Sequence, residues 1–176
     1  YLRKKGAVKF KAIKQKPTYF YMGPTEAHAY NIVLKNLAPD TFYEYYAESK
    51  GPNPVKSEIY TFKTNPVKPD TFTFVVYGDS KAQYDIFNDL NGDILKILDE
   101  SAKTGAPGFT AFTGDYGGNG AFIEYDAWFN YGVDGKSNSK ELLARYPKIH
   151  VHGNHERLAP TWWNMFNFHD SHAHGS

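Results

Sequence analysis

Three times in this chain an apolar, strand-like run ends in glycine followed by an acid or an amide. Residues 72–77 lead into Gly78-Asp79, residues 109–113 into Gly114-Asp115, and residues 148–152 into Gly153-Asn154. The polar positions are 36 residues apart (79 to 115) and 39 apart (115 to 154). That spacing leaves room for a helix to return between runs. Ile86, Leu90, Ile94, Ile97 and Leu98 recur at helical spacing after the first loop, and Phe122, Tyr125, Trp128 and Phe129 after the second. Strand, polar loop and helix in repeat predict an α/β sheet from residue 71 onward. In such a sheet the loops at the strand carboxyl ends are where ligands sit. The first run is almost continuously apolar, which predicts a strand covered on both faces.

The preceding 64 residues read differently. Alternation at 7–14, an aromatic run at 19–21 and further strand-like stretches at 29–34, 42–48 and 58–64 are separated by turn residues, with no long helical period. Leu37, Pro39, Asp40, Thr41, Tyr43 and Tyr45 have the spacing of a tyrosine corner, in which a buried ring packs at a strand start and its hydroxyl bonds upstream backbone. The stretch resembles the later strands of a fibronectin type III sandwich. Its earlier strands are short, which predicts an N-terminal truncation, self-association or a neighbouring chain along the exposed sheet edge. Residues 65–70 (Asn-Pro-Val-Lys-Pro-Asp) read as a linker.

Charge is unevenly distributed. Arg3, Lys4, Lys5, Lys9, Lys11, Lys14 and Lys16 lie within the first 16 residues with no acid among them, leaving 13 basic and 19 acidic residues in the remainder. Val8, Phe10 and Ala12 alternate with the lysines, so a half-buried strand with a solvated lysine face is favoured over a nucleic-acid-binding arm. No run of about 18 apolar residues spans a bilayer. The absence of cysteine excludes disulfides, thiolate metal sites and cysteine nucleophiles within this sequence, so any metal must take oxygen or imidazole ligands.

Hydrolysis of a phosphate ester needs the charge on the nonbridging oxygens neutralised and a hydroxide available at neutral pH. Two cations about 3.5–4 Å apart supply both. An acid at Asp115 can bridge two ions, Asp79 can serve one, and the neutral amide oxygen of Asn154 can serve the other without adding charge. His155 follows a ligand position and can donate to the phosphate or the leaving oxygen, with Glu156 orienting its ring. Lys81 can clamp a substrate phosphate. As a solvated lysine at a helix start it needs no such role. Asp79 and Asp115 also suit plain turn or N-cap positions. His150 and His152 share one face of their strand and are read as packing or solvent-facing residues, and Tyr116 as a packed aromatic.

Gly114-Asp115 with Gly120, followed by Gly153-Asn154-His155-Glu156, resembles the calcineurin-like metallophosphoesterase family, and a fibronectin-like module ahead of it is similar to the layout of purple acid phosphatases. The resemblance implies that the chain is a partial fibronectin-like β-sandwich (1–64), a linker (65–70) and the N-terminal half of an α/β metallophosphatase domain (71–176). It implies Asp79, Asp115 and Asn154 as metal ligands with Asp115 the bridge, His155 as a phosphate-facing acid, a pair of ions (iron, manganese or zinc), and a phosphate ester substrate. It also implies an extracellular, cell-surface or periplasmic setting. The chain departs from the pattern at Asp79-Ser80-Lys81, where the family commonly has Asp-x-His, and at Gly118, where purple members carry a metal-binding tyrosine. Family members also continue to an isolated histidine and a Gly-His-x-His loop. Here His169, His172 and His174 cluster near the end, and Ser171-His172-Ala173-His174 only superficially imitates the latter. A phosphatase-like fold kept as a structural or interaction protein is therefore the competing reading.

Overall fold

The computed structural model describes residues 1–22, 25–157 and 160–166, so His169, His172 and His174 lie outside the described residues. The N-terminal part contains β1 (Leu2–Lys4), β2 (Thr18–Met22), β3 (Thr25–Ala29), β4 (Phe42–Tyr45), β5 (Glu48–Ser49), β6 (Val55–Lys56) and β7 (Tyr60–Lys63). Strand β4 is the centre of an antiparallel three-stranded sheet ordered β1-β4-β7, while β2 pairs with β3 and β5 with β6. Tyr43 organises this part. Its ring is buried and stacked on Phe62, and its hydroxyl accepts the amide of Ala38 at 2.9 Å. This is the upstream backbone bond expected of the corner spacing.

Two of the expected strands differ. Residues 7–14 form no strand, because Gly6 takes φ +86° and the amide of Ala7 turns back onto the carbonyl of Lys4. Only Lys11 returns to pair, as a single bridge with Leu2. Val8 is 90% exposed and Ala12 is exposed, while Phe10 packs edge-on against Tyr46, so the alternating residues do not line one buried face. The 29–34 stretch is likewise coil after Ala29, with Tyr30, Ile32 and Val33 exposed.

The second part runs β8 (Thr73–Tyr77), α1 (Tyr84–Lys103), β9 (Gly108–Phe112), α2 (Phe122–Asn130), α3 (Asn138–Arg145), β10 (Lys148–His150) and α4 (Pro160–Met165). The three strands are all parallel in the order β10-β9-β8, with Val75 opposite Thr110 and Ile149 opposite Ala111. Helices cover one face. There Tyr77 and Phe112 pack with Phe87, Tyr116, Tyr125 and Trp128, and Val75 packs with Ile94, Leu95, Leu98 and Leu142. Burial of a side chain such as Leu98 contributes about 2 kcal/mol. The other face carries Phe72, Phe74, Val76, Ile149 and Val151, all exposed. The expectation of a strand covered on both sides is thus corrected, since the described residues cover only one.

Helix α1 buries Ile94 and Leu98 as expected, but its inward face is shifted from the expected one. Ile86, Leu90 and Ile97 are exposed, whereas Phe87, Asn88, Asn91, Ile94, Leu95 and Leu98 are buried. Two amides set this rotation. Asn91 accepts from the Tyr77 hydroxyl at 2.9 Å and donates to Ser139 Oγ at 2.7 Å, and Asn88 Oδ1 accepts the Asn138 amide at 2.8 Å. Buried polar groups left without partners cost more than exposed apolar ones, so this network outweighs simple apolar periodicity. The β region and helix layer meet where the Tyr45 hydroxyl donates to the Ala144 carbonyl at 2.7 Å.

Candidate functional site

Because the three strands are parallel, all three polar loops emerge at the same end of the sheet. The central strand β9 delivers Asp115, with the Asp79 loop on one side and the Asn154 loop on the other. The backbone ties the loops together. The Asp79 amide donates to the Gly114 carbonyl at 3.0 Å, and the Lys81 amide donates to the Asp115 carbonyl at 3.1 Å. Ser80, itself buried, donates through Oγ to the Tyr116 carbonyl at 3.2 Å.

Glycine is required where the second and third loops touch. A Cβ on Gly114, which has φ +100°, would lie 2.4 Å from the Gly153 nitrogen, and one on Gly153 would lie 2.2 Å from Asp115 Oδ1. Asp79, Lys81 and Asp115 also have positive φ, at 59°, 43° and 60°. Non-glycine residues take this region at a cost and chiefly where surrounding bonds enforce it, which makes these loops sites of held strain.

Glu156 does most of the enforcing. Its side chain is wholly buried and accepts the amides of Asp115 at 2.8 Å, Tyr116 at 2.7 Å and Gly153 at 2.6 Å. The expectation that it orients the His155 ring is corrected: the carboxylate is spent on backbone, and the His155 Nδ1 lies 2.8 Å from the Gly118 carbonyl instead. A carbonyl can only accept, so this contact fixes Nδ1 as the protonated nitrogen. The opposite nitrogen, Nε2, then faces Asp115 Oδ2 at 4.0 Å, and the His155 amide donates to Asp115 Oδ1 at 3.0 Å.

Asp115 is thus gripped from two directions and its side chain is only 14% exposed, while the side chain of Asp79 is 67% exposed. Asn154 is exposed at the loop surface, and its carbonyl accepts the Arg157 amide at 3.3 Å. Lys81, its side chain 44% exposed, reaches Asp79 with Nζ 3.0 Å from Oδ1. The ammonium holds the Asp79 carboxyl below its usual range, with smaller help from Asp115 and His155.

As a cradle for two ions the donor set fits only in part. Asp115 and Asn154 offer hard oxygens suited to a divalent cation. Asp79 is bonded to an ammonium, which cannot coordinate metal. Among the described residues no three His, Asp or Glu side chains are grouped to hold an ion.

Two supporting residues carried no recognised motif. Glu124, from α2, accepts the amides of Gly118 at 2.7 Å and Ala121 at 3.0 Å, closing the glycine-rich loop beneath His155. Its position six residues past Gly118 was a readable cue, since a loop of free amides at a helix start attracts a carboxylate. Lys148 is largely buried, with its ammonium against Tyr77 at 4.4 Å and Trp128 at 4.8 Å, and burial brings its pKa down to about 7. The histidines of β10 and its loop are packing residues, as expected. His150 stacks on Phe166 and meets the Tyr116 hydroxyl at 2.7 Å, and burial holds its pKa down to about 3 with help from Lys148. His152 lies between Trp162 and Trp163. Tyr116 is fully buried, again as expected.

No protein-family model matches the chain, and no curated protein matches it. Among solved structures it is similar to a purple acid phosphatase isolated from yellow lupin (Lupinus luteus) seeds, at 17% identity with a TM-score of 0.56. The match covers 89% of this chain and 30% of the lupin chain. The likeness establishes a metallophosphatase-like fold. Among the described residues no helix is long and apolar enough to cross a membrane.

Proposed function

We propose that this chain carries the Asp79, Asp115 and Asn154 side of a metal-dependent phosphoester hydrolase centre, behind a fibronectin type III-like module. The observation that supports it best is the fixing of Asp115 by the His155 amide, with the Asn154-His155 turn and the glycine loop both anchored on buried Glu156. A cation bound there would polarise a phosphoryl oxygen and lower the pKa of a bound water. The protein's part is to hold Asp115 rigid, offer the Asn154 amide oxygen, and aim a fixed imidazole edge at the space above. With Nδ1 bonded to Gly118, His155 Nε2 is the atom able to donate to a phosphate or leaving oxygen once protonated. Phosphate esters and an extracellular setting follow from this reading.

A second reading, a phosphatase-like fold retained for a structural role, draws support from the Lys81–Asp79 ion pair. Metal analysis and turnover of an aryl phosphate distinguish the two. The hydrolase reading expects bound metal and turnover that Asp115→Asn reduces at least about a thousandfold, the scale of losing a principal transition-state contact. Metal-free protein without turnover would refute it.

A further inference from the structure

At the Asp79 end of the loops the cation is already part of the chain. Lys81 Nζ is 3.0 Å from Asp79 Oδ1, and the partners are two residues apart on one loop. Both take positive φ, and the Lys81 amide is bonded to the Asp115 carbonyl, so the backbone turns the lysine back toward the two carboxylates. An ammonium and a metal ion drawn to the same carboxylate oxygen repel one another and compete for one volume. The metal must displace a cation that has no entropy of capture, because it is tethered two residues away.

We propose that the Lys81 ammonium is the resident cation of the Asp79 end, so that Asp79 is an ion-pair partner and the loops hold no more than one metal ion. The inference rests on the phosphoesterase reading of the loops, takes Asp79 out of the metal ligands of that reading, and predicts the ion count that follows. It also recasts Lys81. A phosphate clamp would leave Asp79 free for metal, whereas a resident cation keeps it occupied.

The test is Mn2+ titration of the full chain followed by electron paramagnetic resonance, with Lys81→Gln, Lys81→His and Lys81→Arg. Lys81 is partly exposed, and circular dichroism checks that each variant keeps the fold. The wild type and Lys81→Arg should take up at most one ion. Lys81→Gln should bind Mn2+ about tenfold more tightly, an ordinary size for relieving one charge–charge repulsion, and Lys81→His should gain an ion. Two ions on the wild type, or no change in affinity in Lys81→Gln, would overturn the proposal. Turnover is scored separately: no aryl phosphate hydrolysis in any protein, together with the expected Mn2+ response, would refute the hydrolase reading and leave the assignment of Lys81 standing.

Discussion

The carboxylate of Glu156 accepts the backbone amide of Asp115 at 2.8 Å across a sequence gap of 41 residues, and it does so with no exposure to solvent. This bond joins the loop after β9 to the loop after β10. A carboxylate has enough lone pairs to receive three amides at once, which a neutral side chain of the same length does not.

Glu156→Gln tests that brace. The amide group keeps one acceptor oxygen but turns an NH2 toward at least one backbone N–H, leaving buried donors unsatisfied at a cost of about 1–3 kcal/mol. For a chain of this size the melting temperature should fall by roughly 3–10 °C. Aryl phosphate turnover should fall further than stability alone explains, because Asp115 loses its backbone anchor. Calorimetry and turnover at a temperature where the variant remains folded check both. A melting point unchanged within experimental error would show that the brace is dispensable.

Gly153→Ala probes the same junction by steric means. The new Cβ would meet Asp115 Oδ1 at 2.2 Å and the Asp115 nitrogen at 2.4 Å, and the backbone atom cannot rotate away. The loops must separate, so amide resonances of Asp115 and His155 should shift and the melting temperature should drop. Gly51→Ala is the control, because its nearest new contact is Ser49 Oγ at an ordinary 3.9 Å. Equal behaviour of the two variants would contradict the close approach.

Tyr43→Phe addresses the β region independently. Removing the hydroxyl leaves the Ala38 amide without its acceptor while the ring and its stack on Phe62 remain. A loss of about 1 kcal/mol is expected, or roughly 2–4 °C. Denaturation followed by tyrosine fluorescence measures it, and a variant as stable as the wild type would mean that water replaces the bond at no cost.

The parts of this structure legible in sequence are those set by local pattern. Apolar runs capped by Gly78, Gly114 and Gly153 located the three strands and their common end, and the 37–45 spacing located the Tyr43 bond. What escaped was set by partners distant in sequence. The inward face of α1 is decided by Asn88 and Asn91 meeting Tyr77, Asn138 and Ser139, and no helical periodicity reports that. Glu156 lies beside His155 in sequence, which suggested a pair, yet its carboxylate serves amides of a loop some forty residues earlier. The Lys81–Asp79 pair depends on two positive φ angles that the residue types do not announce.

Lys148 should make stability depend on pH in a defined direction. Its ammonium donates to the Tyr77 hydroxyl and sits against the rings of Tyr77, Phe112 and Trp128, and burial lowers its pKa from 10.5 to about 7. Above pH 7 the folded state releases this proton, while the unfolded state holds it until about pH 10.5. The unfolded chain therefore binds more protons across that interval, and stability rises with pH there. At or below pH 7 the full cost of burying the charge is present, offset in part by the aromatic faces. Lys148→Met fills similar volume without a charge and should stabilise the protein by about 1–4 kcal/mol near pH 7, the range seen when buried ionic groups give way to apolar ones. The advantage should shrink steadily between pH 7 and 10 as the wild-type lysine becomes neutral in the fold. Thermal melts of both proteins across that range measure the difference directly. A constant gap would mean that Lys148 keeps its proton in the folded state, with the Tyr77 hydroxyl and the three rings stabilising the cation enough to cancel its desolvation.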